Sequence, residues 1–390
     1  MDKKRKVHSL TGRIVLDLMY DAFKAVKRNR GACGIDKVSI QMFEYNLEQN
    51  LIALMKELKR RFYQPSPLRR VYIPKGRRQR RPLGIPAVRD RVAQEVVRRL
   101  LDPIFERMFH DDSYGFRKKR NCHKAVMRIL YLCNQGYRFV VDADIKAFFD
   151  NIPHNLIMQA VAEEVADGNI LGLVEKFLKS GVMEDGKFIP TIKGTPQGGV
   201  LSPLLANIVL NKLDWHLEQF GYRFVRYADD FVVLTRTYAE AEKVLTVVRE
   251  FLSAVLSLKL NMEKTKITTY GKGFDFLGFS LSSSRVRIRA QSVEKFQDKV
   301  RKITIRSHNL DQAVIEKLNR VIRGTANYFA PNFSNCHNQF YKLDKWIRRR
   351  LRCMKYKSIS RRHNLRMRNK YFRRLGLLSL RELCPSVKEQ

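Results

Sequence analysis

Apolar residues recur with two different periods along the chain, and the changes of period divide it into three regions. Over about 14–62 they lie three or four positions apart, which predicts helices, with one interruption at the glycine-containing turn 31–34. Over 71–290, β-branched runs alternate with helical stretches. After Gln291 only the helical period remains. The pattern therefore predicts an α+β body followed by a small helical domain.

Three amphipathic helices are predicted in the last region, because apolar residues there repeat at spacings of three and four. Those residues are Val293, Phe296, Val300 and Ile303 in the first helix, Leu310, Val314, Leu318 and Ile322 in the second, and Phe340, Leu343, Ile347 and Leu351 in the third. We expect four segments in all: an N-terminal helical extension over 1–70, the α+β body over 71–290, the helical domain over 291–358 and a basic C-terminal tail over 359–390.

The charge balance indicates a polyanionic partner. The 390 residues include 76 Lys and Arg against 38 Asp and Glu, and the resulting net charge of +38 suits binding to RNA, DNA or an anionic surface. Basic residues are especially dense over 348–374, beside aromatic ones, and we predict a nucleic-acid track there rather than only a solvated face. Acidic proteins and cationic substrates are poor candidates for partners of this chain.

Neither a membrane nor an oxidising compartment is indicated. The best apolar stretch, 199–210, is too short to span a bilayer, so we expect no membrane segment. The six cysteines are scattered without a CxxC pair, which argues against a zinc module and a disulfide framework and favours the cytoplasm. The segment Lys3 to Val7 is similar to a nuclear import signal, so we expect a nuclear location only if that segment functions as one.

Two groups of carboxylates follow predicted strands. Tyr227-Ala228-Asp229-Asp230 lies between two apolar β-type runs, which predicts a tight hairpin turn with two adjacent acids at its tip. Asp144 follows a second such run. One carboxylate at a strand end and a pair on a neighbouring hairpin suit a two-metal site for phosphoryl transfer. Asp142 shares a strand face with Asp144, and Asp150 lies near, so spacing alone does not choose among these three.

The chain resembles the reverse transcriptases and maturases encoded by bacterial group II introns, with motifs in family order over nearly all of its length. Lys118-Lys119-Arg120 departs from the family's usual Pro-Gly-Arg, and Thr325 stands where Trp is frequent. A cysteine-rich HNH endonuclease module is missing, so we expect no cleavage of a second DNA strand. The matching motifs are Arg70-Val71-Tyr72-Ile73-Pro74-Lys75, Arg81-Pro82-Leu83-Gly84-Ile85-Pro86, Ser113-Tyr114-Gly115-Phe116-Arg117, the Asp144 block, Thr195-Pro196-Gln197-Gly198-Gly199, the Tyr227 to Asp230 turn, Leu260 to Lys266, Phe274 to Phe279, Leu318 to Phe329 and Leu343 to Arg348.

The resemblance implies a right-hand polymerase architecture. Fingers and palm with an antiparallel sheet would occupy 71–290, the fingers would begin within 1–70, and 291–358 would be the all-α thumb or maturase domain. The implied activity is that of an RNA-directed DNA polymerase, which adds dNTPs to a DNA or RNA primer on an RNA template and also binds intron RNA as a splicing maturase. Two alternatives stay open: a maturase in which polymerisation is secondary, and a domesticated enzyme of repair or defence. The oligomeric state is open as well.

The same resemblance assigns the catalytic site. Asp144, Asp229 and Asp230 are implied to bind two Mg²⁺ ions, with Mn²⁺ as an expected substitute, and Asp142 becomes the less favoured choice. A ring at Phe149 would exclude a 2′-hydroxyl by steric clash, although it could also be palm core. The implied nucleotide-binding residues are Lys75 and Arg81 at the triphosphate, Phe149 at the sugar, Gln197 and Gly198 at the incoming nucleotide, and Lys264, with Lys266 as alternative, near the pyrophosphate.

The remaining implied contacts are to the nucleic-acid strands. Phe276, Leu277 and Gly278 resemble the turn that grips the primer. Basic side chains are expected to bind the strands at Arg117, Arg323, Arg348 and Arg349.

Overall fold

The computed structural model of the chain describes residues 6–75, 79–196, 198–360 and 362–384, with the side chains of Lys75 and Gln79 outside that description. The elements up to residue 189 are a 3₁₀ turn (Thr11–Arg13), α1 (Leu16–Arg28), α2 (Ile40–Tyr45), α3 (Leu47–Lys59), β1 (Leu68–Lys75), β2 (Gln79–Ile85), α4 (Val88–Phe105), α5 (Cys122–Asn134), β3 (Phe139–Asp144), α6 (Phe148–Asn151), α7 (His154–Ala162), α8 (Gly168–Leu178), β4 (Val182–Glu184) and β5 (Lys187–Ile189).

The second half of the chain begins with a long helix and ends with helices. Its elements are α9 (Ser202–Gln219), β6 (Arg223–Tyr227), β7 (Asp230–Thr235), α10 (Tyr238–Ala254), β8 (Lys266–Thr269), β9 (Phe274–Phe276), β10 (Phe279–Leu281), β11 (Val286–Ile288), α11 (Ala290–Ile303), α12 (Gln312–Phe329), α13 (His337–Tyr356), α14 (His363–Arg366) and α15 (Asn369–Arg374).

Several helices begin where a side chain satisfies free backbone N–H groups. At the start of α10, Thr237 accepts from the Glu240 amide while the Glu240 carboxylate accepts from the Thr237 amide, forming a capping box. Asp167 caps α8 by accepting from the amides of Asn169 and Ile170. Asp311 caps α12 by accepting from Val314 N. These caps set helix starts that the apolar period alone leaves uncertain by a few residues.

The predicted fold class is confirmed. Helices α1, α2 and α3 lie in the region where the spacing predicts helices, and the predicted interruption at 31–34 lies between α1 and α2 without regular secondary structure. Strands and helices alternate from β1 to β11, and α11, α12 and α13 cover the three predicted helices after Gln291. Among the helices of the described residues, none is long and apolar enough to cross a membrane.

The chain forms two compact units that do not coincide with the four expected segments. The first unit comprises Met1–Asn121 and Val141–Ile267, and the second comprises Cys122–Val140 and Thr268–Gln390. The boundaries fall inside β3 and β8. Helix α5 joins the second unit because the His123 ring packs on aromatic residues that lie some 200 positions later.

Two four-stranded sheets organise the first unit. One has the order β2-β1-β4-β5, in which β1 pairs antiparallel with β2 and parallel with β4. The other has the order β6-β7-β3-β8 and includes the antiparallel hairpin β6–β7. Helices α4 and α9 bury apolar residues on most of their faces and supply much of the core.

The second unit combines a small sheet with a helical core. Strands β9, β10 and β11 pair antiparallel in the order β11-β10-β9. Phe296 of α11, Ile315 and Leu318 of α12, and Phe340 and Ile347 of α13 belong to one buried apolar cluster. Burial of each such side chain stabilises the unit by roughly 1.5–3 kcal/mol, so packing rather than helix propensity holds these helices together.

Candidate metal and nucleotide site

The predicted acidic hairpin is present. Tyr227 pairs with Asp230 at the end of the β6–β7 ladder, so Ala228 and Asp229 form a two-residue turn. Ala228 has a φ of 59°, in the left-handed region that costs a non-glycine residue roughly 1–2 kcal/mol. Asp229 is half-buried and Asp230 is exposed. The turn thus presents two consecutive carboxylates at the end of a rigid hairpin.

Asp144 ends β3, the strand next to β7 in the same sheet. The Asp144 amide donates to Thr265 Oγ1 at 3.3 Å, and its carbonyl accepts from Asn261 N at 2.7 Å. Asn261 Nδ2 also donates to Asp144 Oδ2 at 3.0 Å. Asn261 and Thr265 therefore fix both the backbone and the carboxylate of Asp144. Both residues belong to the motif Leu260 to Lys266, in which the sequence predicts a role only for the lysines.

The two lysines of that motif bind two different aspartates. Lys264 Nζ lies 3.2 Å from Asp144 Oδ2, and Lys266 Nζ lies 3.7 Å from Asp142 Oδ2. Both lysine side chains are more than half exposed. Water and salt weaken such pairs to about 0–1 kcal/mol, so either lysine can leave its aspartate at little cost.

The three predicted aspartates are of the residue type that binds divalent cations. Asp144, Asp229 and Asp230 offer hard carboxylate oxygens at the ends of neighbouring strands, which Mg²⁺ and Mn²⁺ prefer. Within the described residues, no group of three His, Cys, Asp or Glu side chains is arranged so that it could hold a metal ion. The Lys264 ammonium lies on Asp144 instead, and it would have to move away for a cation to bind there. The residue types suit the ion, whereas the described side chains do not form a cation site while Lys264 pairs with Asp144.

The loop at 194–199 approaches β2 at a glycine. Gly198 has a φ of 115°, and a Cβ added there would lie 2.4 Å from the Gly84 carbonyl oxygen. Only glycine permits this approach. Arg81 lies exposed on β2, and Lys75 ends β1. The predicted contacts of Gln197 and of the Lys75 side chain lie outside the described residues.

Phe148 and Phe149 point into different surroundings. Phe148 is buried, whereas Phe149 is half-buried, and their ring centroids are 5.3 Å apart. The Phe149 carbonyl accepts from Thr195 N at 2.7 Å, which ties the Phe149 backbone to Thr195. Phe148 therefore supplies the palm core, and Phe149 lies beside the loop that carries the predicted nucleotide contacts.

A cavity of about 230 Å³ lies next to this loop, lined in part by Arg70, Gly84, Asp150 and Thr195. The Thr195 hydroxyl is buried and has no hydrogen-bond partner within the described residues. Ligand pockets usually measure roughly 300–1,000 Å³, so a cavity of this size holds part of a nucleotide rather than all of it.

The predicted primer-grip turn lies in the second unit. Phe276 pairs with Phe279 across the β9–β10 hairpin, and the two turn residues, Leu277 and Gly278, have φ values of 47° and 85°. This is the geometry of a tight hairpin whose twist matches its strands. Tyr328 of α12 donates its hydroxyl proton to the Leu277 carbonyl at 2.8 Å. The turn is thus anchored to the helices of its own unit.

The four predicted strand-binding arginines lie in different surroundings. Arg323 and Arg349 are exposed and Arg348 is half-buried. Arg117 is buried and donates to the Glu106 carboxylate and to the His110 and Ser113 carbonyls. Its donors are occupied by the protein, which argues against the predicted contact.

A basic groove of about 740 Å³ runs along α13. Tyr341, Trp346, Arg348 and Arg349 are among the residues that line it. The Arg301 guanidinium lies 5.7 Å from the centre of the Trp346 ring, so a cation and an aromatic face adjoin each other at this helix. Aromatic faces beside cations suit the bases and phosphates of a nucleic-acid strand.

Comparison with known proteins assigns the acidic turn and the helices after residue 291 to two different family domains. A sequence model described as reverse transcriptase (RNA-dependent DNA polymerase) matches residues 73–281, and one described as group II intron, maturase-specific domain matches 293–374. Protein YkfC of Escherichia coli K12 is 38% identical over 292 residues, which are 65% of this chain and 77% of YkfC.

Two further proteins extend the comparison. The group II intron-encoded protein LtrA of Lactococcus lactis subsp. cremoris is 31% identical over 356 residues, which are 74% of this chain but 58% of LtrA. Among solved structures, telomerase from Candida albicans in complex with a fragment of telomeric RNA is 14% identical with a TM-score of 0.45, covering 82% of this chain and 64% of that one.

Proposed function

The chain belongs to the reverse transcriptase family, the RNA-directed DNA polymerases, and carries a group II intron maturase-specific domain; from this premise we propose that it extends a DNA or RNA primer with dNTPs on an RNA template by two-metal phosphoryl transfer. The family binds RNA templates and uses divalent metal ions. The observation that carries the proposal is the placement of Asp144 and of the Asp229-Asp230 turn on neighbouring strands inside the matched domain.

In this proposal Asp144, Asp229 and Asp230 hold two Mg²⁺ ions, with Mn²⁺ as substitute. The bound ions would activate the primer 3′-hydroxyl and stabilise the leaving pyrophosphate. Asn261 and Thr265 orient Asp144 for this task. The Asn261 bond keeps one carboxylate oxygen turned in a constant direction, as partners of metal ligands commonly do, and Thr265 holds the Asp144 backbone.

Lys264 has two successive positions. In the free protein its ammonium lies on Asp144. A cation held by Asp144 would take the place of Lys264, whose charge would then be available for the pyrophosphate of the incoming nucleotide. Lys266, which pairs with Asp142, is the alternative for this second role.

The nucleotide lies, in the proposal, between β2 and the 194–199 loop. Arg81 and Lys75 bind the triphosphate, where a planar fork and a point charge complement each other. Gly198 and Gln197 approach the nucleotide with the backbone and side chain of the loop. Phe149 contacts the sugar and selects against a 2′-hydroxyl.

The second unit supplies the strand contacts. We assign the primer grip to Phe276, Leu277 and Gly278 and the phosphate contacts to Arg323, Arg348 and Arg349. The match to a maturase-specific domain also favours binding of structured intron RNA in support of splicing. We place the protein in the bacterial cytoplasm. The residues Lys3, Lys4 and Arg5 of the import-like segment lie outside the described residues.

The test is primer extension on an RNA template with dNTPs and Mg²⁺. Asp144→Asn should abolish extension, because an amide is a poor ligand for Mg²⁺, whereas Asp185→Asn, at an exposed hairpin turn, serves as the matched control. Phe149→Ala should extend with ribonucleotides that the wild type rejects. Extension by Asp144→Asn at the wild-type rate would contradict the site. Splicing of a cognate RNA by Asp144→Asn separates the maturase role, which needs no metal-bound carboxylate.

A further inference from the structure

A charged residue lies inside the strand that leads to the acidic turn. Strand β6 continues from Phe224 and Val225 into Arg226, and Arg226 has no exposed surface. An isolated buried charge destabilises a protein by several kcal/mol unless it is paired and hydrogen-bonded. A guanidinium at this position therefore requires a complete set of partners.

All five N–H donors of Arg226 have acceptors. Nε and Nη2 donate to the two oxygens of Asp214, which is also fully buried, with 2.7 Å between Nε and Oδ1. Nη2 also donates to Ser113 Oγ at 2.8 Å. Nη1 donates to Asn207 Oδ1 at 2.9 Å and to the Ala228 carbonyl at 2.9 Å. The group cannot rotate without losing several of these bonds at once.

The bond to Ala228 reaches the acidic turn itself. Ala228 is the left-handed residue of that turn, and its carbonyl belongs to the peptide that leads into Asp229. Gly115 packs against the backbone of the same turn, where an added Cβ would lie 2.3 Å from Ala228 N. Asn207 donates from Nδ2 to the Gly115 carbonyl at 2.8 Å, so it binds both Arg226 and Gly115. The turn is thus hydrogen-bonded at the Ala228 carbonyl and closely packed at the Ala228 nitrogen.

We propose that Arg226, held by Asp214, is a positioning residue for catalysis, which fixes the Ala228 peptide and thereby the direction of the Asp229 carboxylate towards the metal ions. The inference rests on the proposed function of Asp229. Asp214 neutralises the guanidinium, so a positive charge three residues from Asp229 does not repel the cations that the turn would bind. A planar fork that is always charged suits this clamp, and lysine has too few donors to replace it.

The test compares metal binding in three proteins. A double variant, Arg226→Met with Asp214→Leu, replaces the buried pair by apolar side chains, an exchange that is often neutral or stabilising for the fold. Arg223→Met is the matched control. Arg223 lies on β6 like Arg226, and it pairs at the surface with Glu218, which lies on α9 like Asp214. Asp229→Ala reports on the site itself. Mn²⁺ binding to the free proteins is measured by electron paramagnetic resonance, together with thermal unfolding and RNA affinity.

We expect the double variant to bind Mn²⁺ about 10- to 100-fold more weakly than the wild type, the usual effect of removing a partner of a metal ligand. Its RNA affinity and unfolding temperature should equal those of Arg223→Met. The Mg²⁺ concentration for half-maximal extension should rise in parallel. A purely structural role would leave the metal affinity of the folded variant unchanged.

The outcomes separate the two proposals. Wild-type Mn²⁺ affinity in the double variant, with much weaker binding in Asp229→Ala, overturns the positioning role and leaves the site intact. Unchanged Mn²⁺ binding and extension in Asp229→Ala overturn the proposed site itself. If the double variant unfolds, Arg226→Lys replaces it. Lysine keeps the charge beside Asp214 but cannot also reach Ala228, so wild-type metal affinity in folded Arg226→Lys would overturn the inference.

Discussion

Two buried arginines, Arg226 in the first unit and Arg352 in the second, are satisfied by different chemistry. Arg226 forms a paired contact with the Asp214 carboxylate. Arg352 donates to the Met367 carbonyl at 2.9 Å and to the Asn369 side-chain oxygen at 3.2 Å, and lies over an aromatic ring. Burial, followed by the nearby Arg348 charge, lowers the pKa of Arg352. The Asp214 carboxylate cancels the charge of Arg226, whereas the oxygens that bind Arg352 are neutral and leave its charge uncancelled.

The difference matches the roles that we propose for the two regions. Near the acidic turn a net positive charge would compete with metal ions, so the arginine that orders the turn is neutralised by an acid. Along α13, carbonyl and amide oxygens order the arginines and leave their charge in place. Arg350 follows the same rule, since it donates to the Thr304 hydroxyl and carbonyl, and burial lowers its pKa. Uncancelled charge suits the phosphate contacts that we propose for this helix.

The largest effect should come from breaking the cancelled pair. Asp214→Ala leaves Arg226 buried with a charge and no carboxylate, so we expect the free energy of unfolding to fall by about 3–5 kcal/mol. Glu218→Ala removes the exposed partner of Arg223 from the same helix and should cost less than about 1 kcal/mol. Denaturant unfolding of both variants measures the difference. Equal losses would show that the Asp214 charge is not needed.

A smaller loss is expected at the buried carboxylate of the second unit. Asp344 accepts from Leu380 N, Arg381 N and the Ser379 hydroxyl, and so attaches the C-terminal segment to α13. Because its partners are neutral groups, Asp344→Ala leaves unsatisfied donors but no buried charge, and should cost about 1–3 kcal/mol. Limited proteolysis of 377–384 should accelerate in parallel. The control is Asp298→Ala, at an exposed pair on α11. A loss as large as that of Asp214→Ala would remove the contrast.

The salt dependence of RNA affinity tests the role proposed for the uncancelled charges along α13. Arg348→Gln with Arg349→Gln should reduce the slope of log affinity against log salt by about 0.7 for each single-strand phosphate that the variant no longer neutralises. Arg223→Gln, at a surface arginine of the first unit that pairs with Glu218, should leave the slope unchanged. Fluorescence anisotropy at several salt concentrations gives the slopes. If the double variant has the wild-type slope, Arg348 and Arg349 of α13 do not contact RNA phosphates.

The smallest effect concerns a histidine of the first unit. His154 Nε2 lies 2.8 Å from the Gly194 carbonyl oxygen, and burial lowers the pKa of His154 below its usual 6.5. Protonation therefore favours the unfolded chain, and the stabilising effect is complete above pH 6.5 and declines as the pH falls towards the folded pKa. The decline is at most about 1.4 kcal/mol per pH unit. His154→Gln should flatten stability between pH 6.5 and 5, measured by denaturant unfolding. An unchanged slope would contradict the assignment.

The sequence predicted those parts of the site that depend on neighbours in the chain. The Tyr227 to Asp230 hairpin followed from acids between two apolar runs, and α11, α12 and α13 followed from helical spacing. These features were predictable because each is set by a period or a turn within about twenty residues.

Contacts distant in sequence could not be predicted in this way. An arginine between Val225 and Tyr227 signals a buried charge that needs a partner, but no period shows that the partner is Asp214 in α9. The position of α5 in the second unit likewise depends on the contact of His123 with Tyr328. Arg117 was assigned to the nucleic acid because its motif resembles the family's, whereas its partner Glu106 became apparent only in the fold.

The central claim is that the first unit carries out chemistry with carboxylates while the second binds RNA with uncancelled charge. The most direct test measures primer extension and RNA affinity on the same preparation of Asp229→Ala. The account predicts that extension falls by about a thousandfold or more while RNA affinity stays at the wild-type value. Extension at the wild-type rate, or loss of extension and RNA binding together in a folded protein, would contradict it.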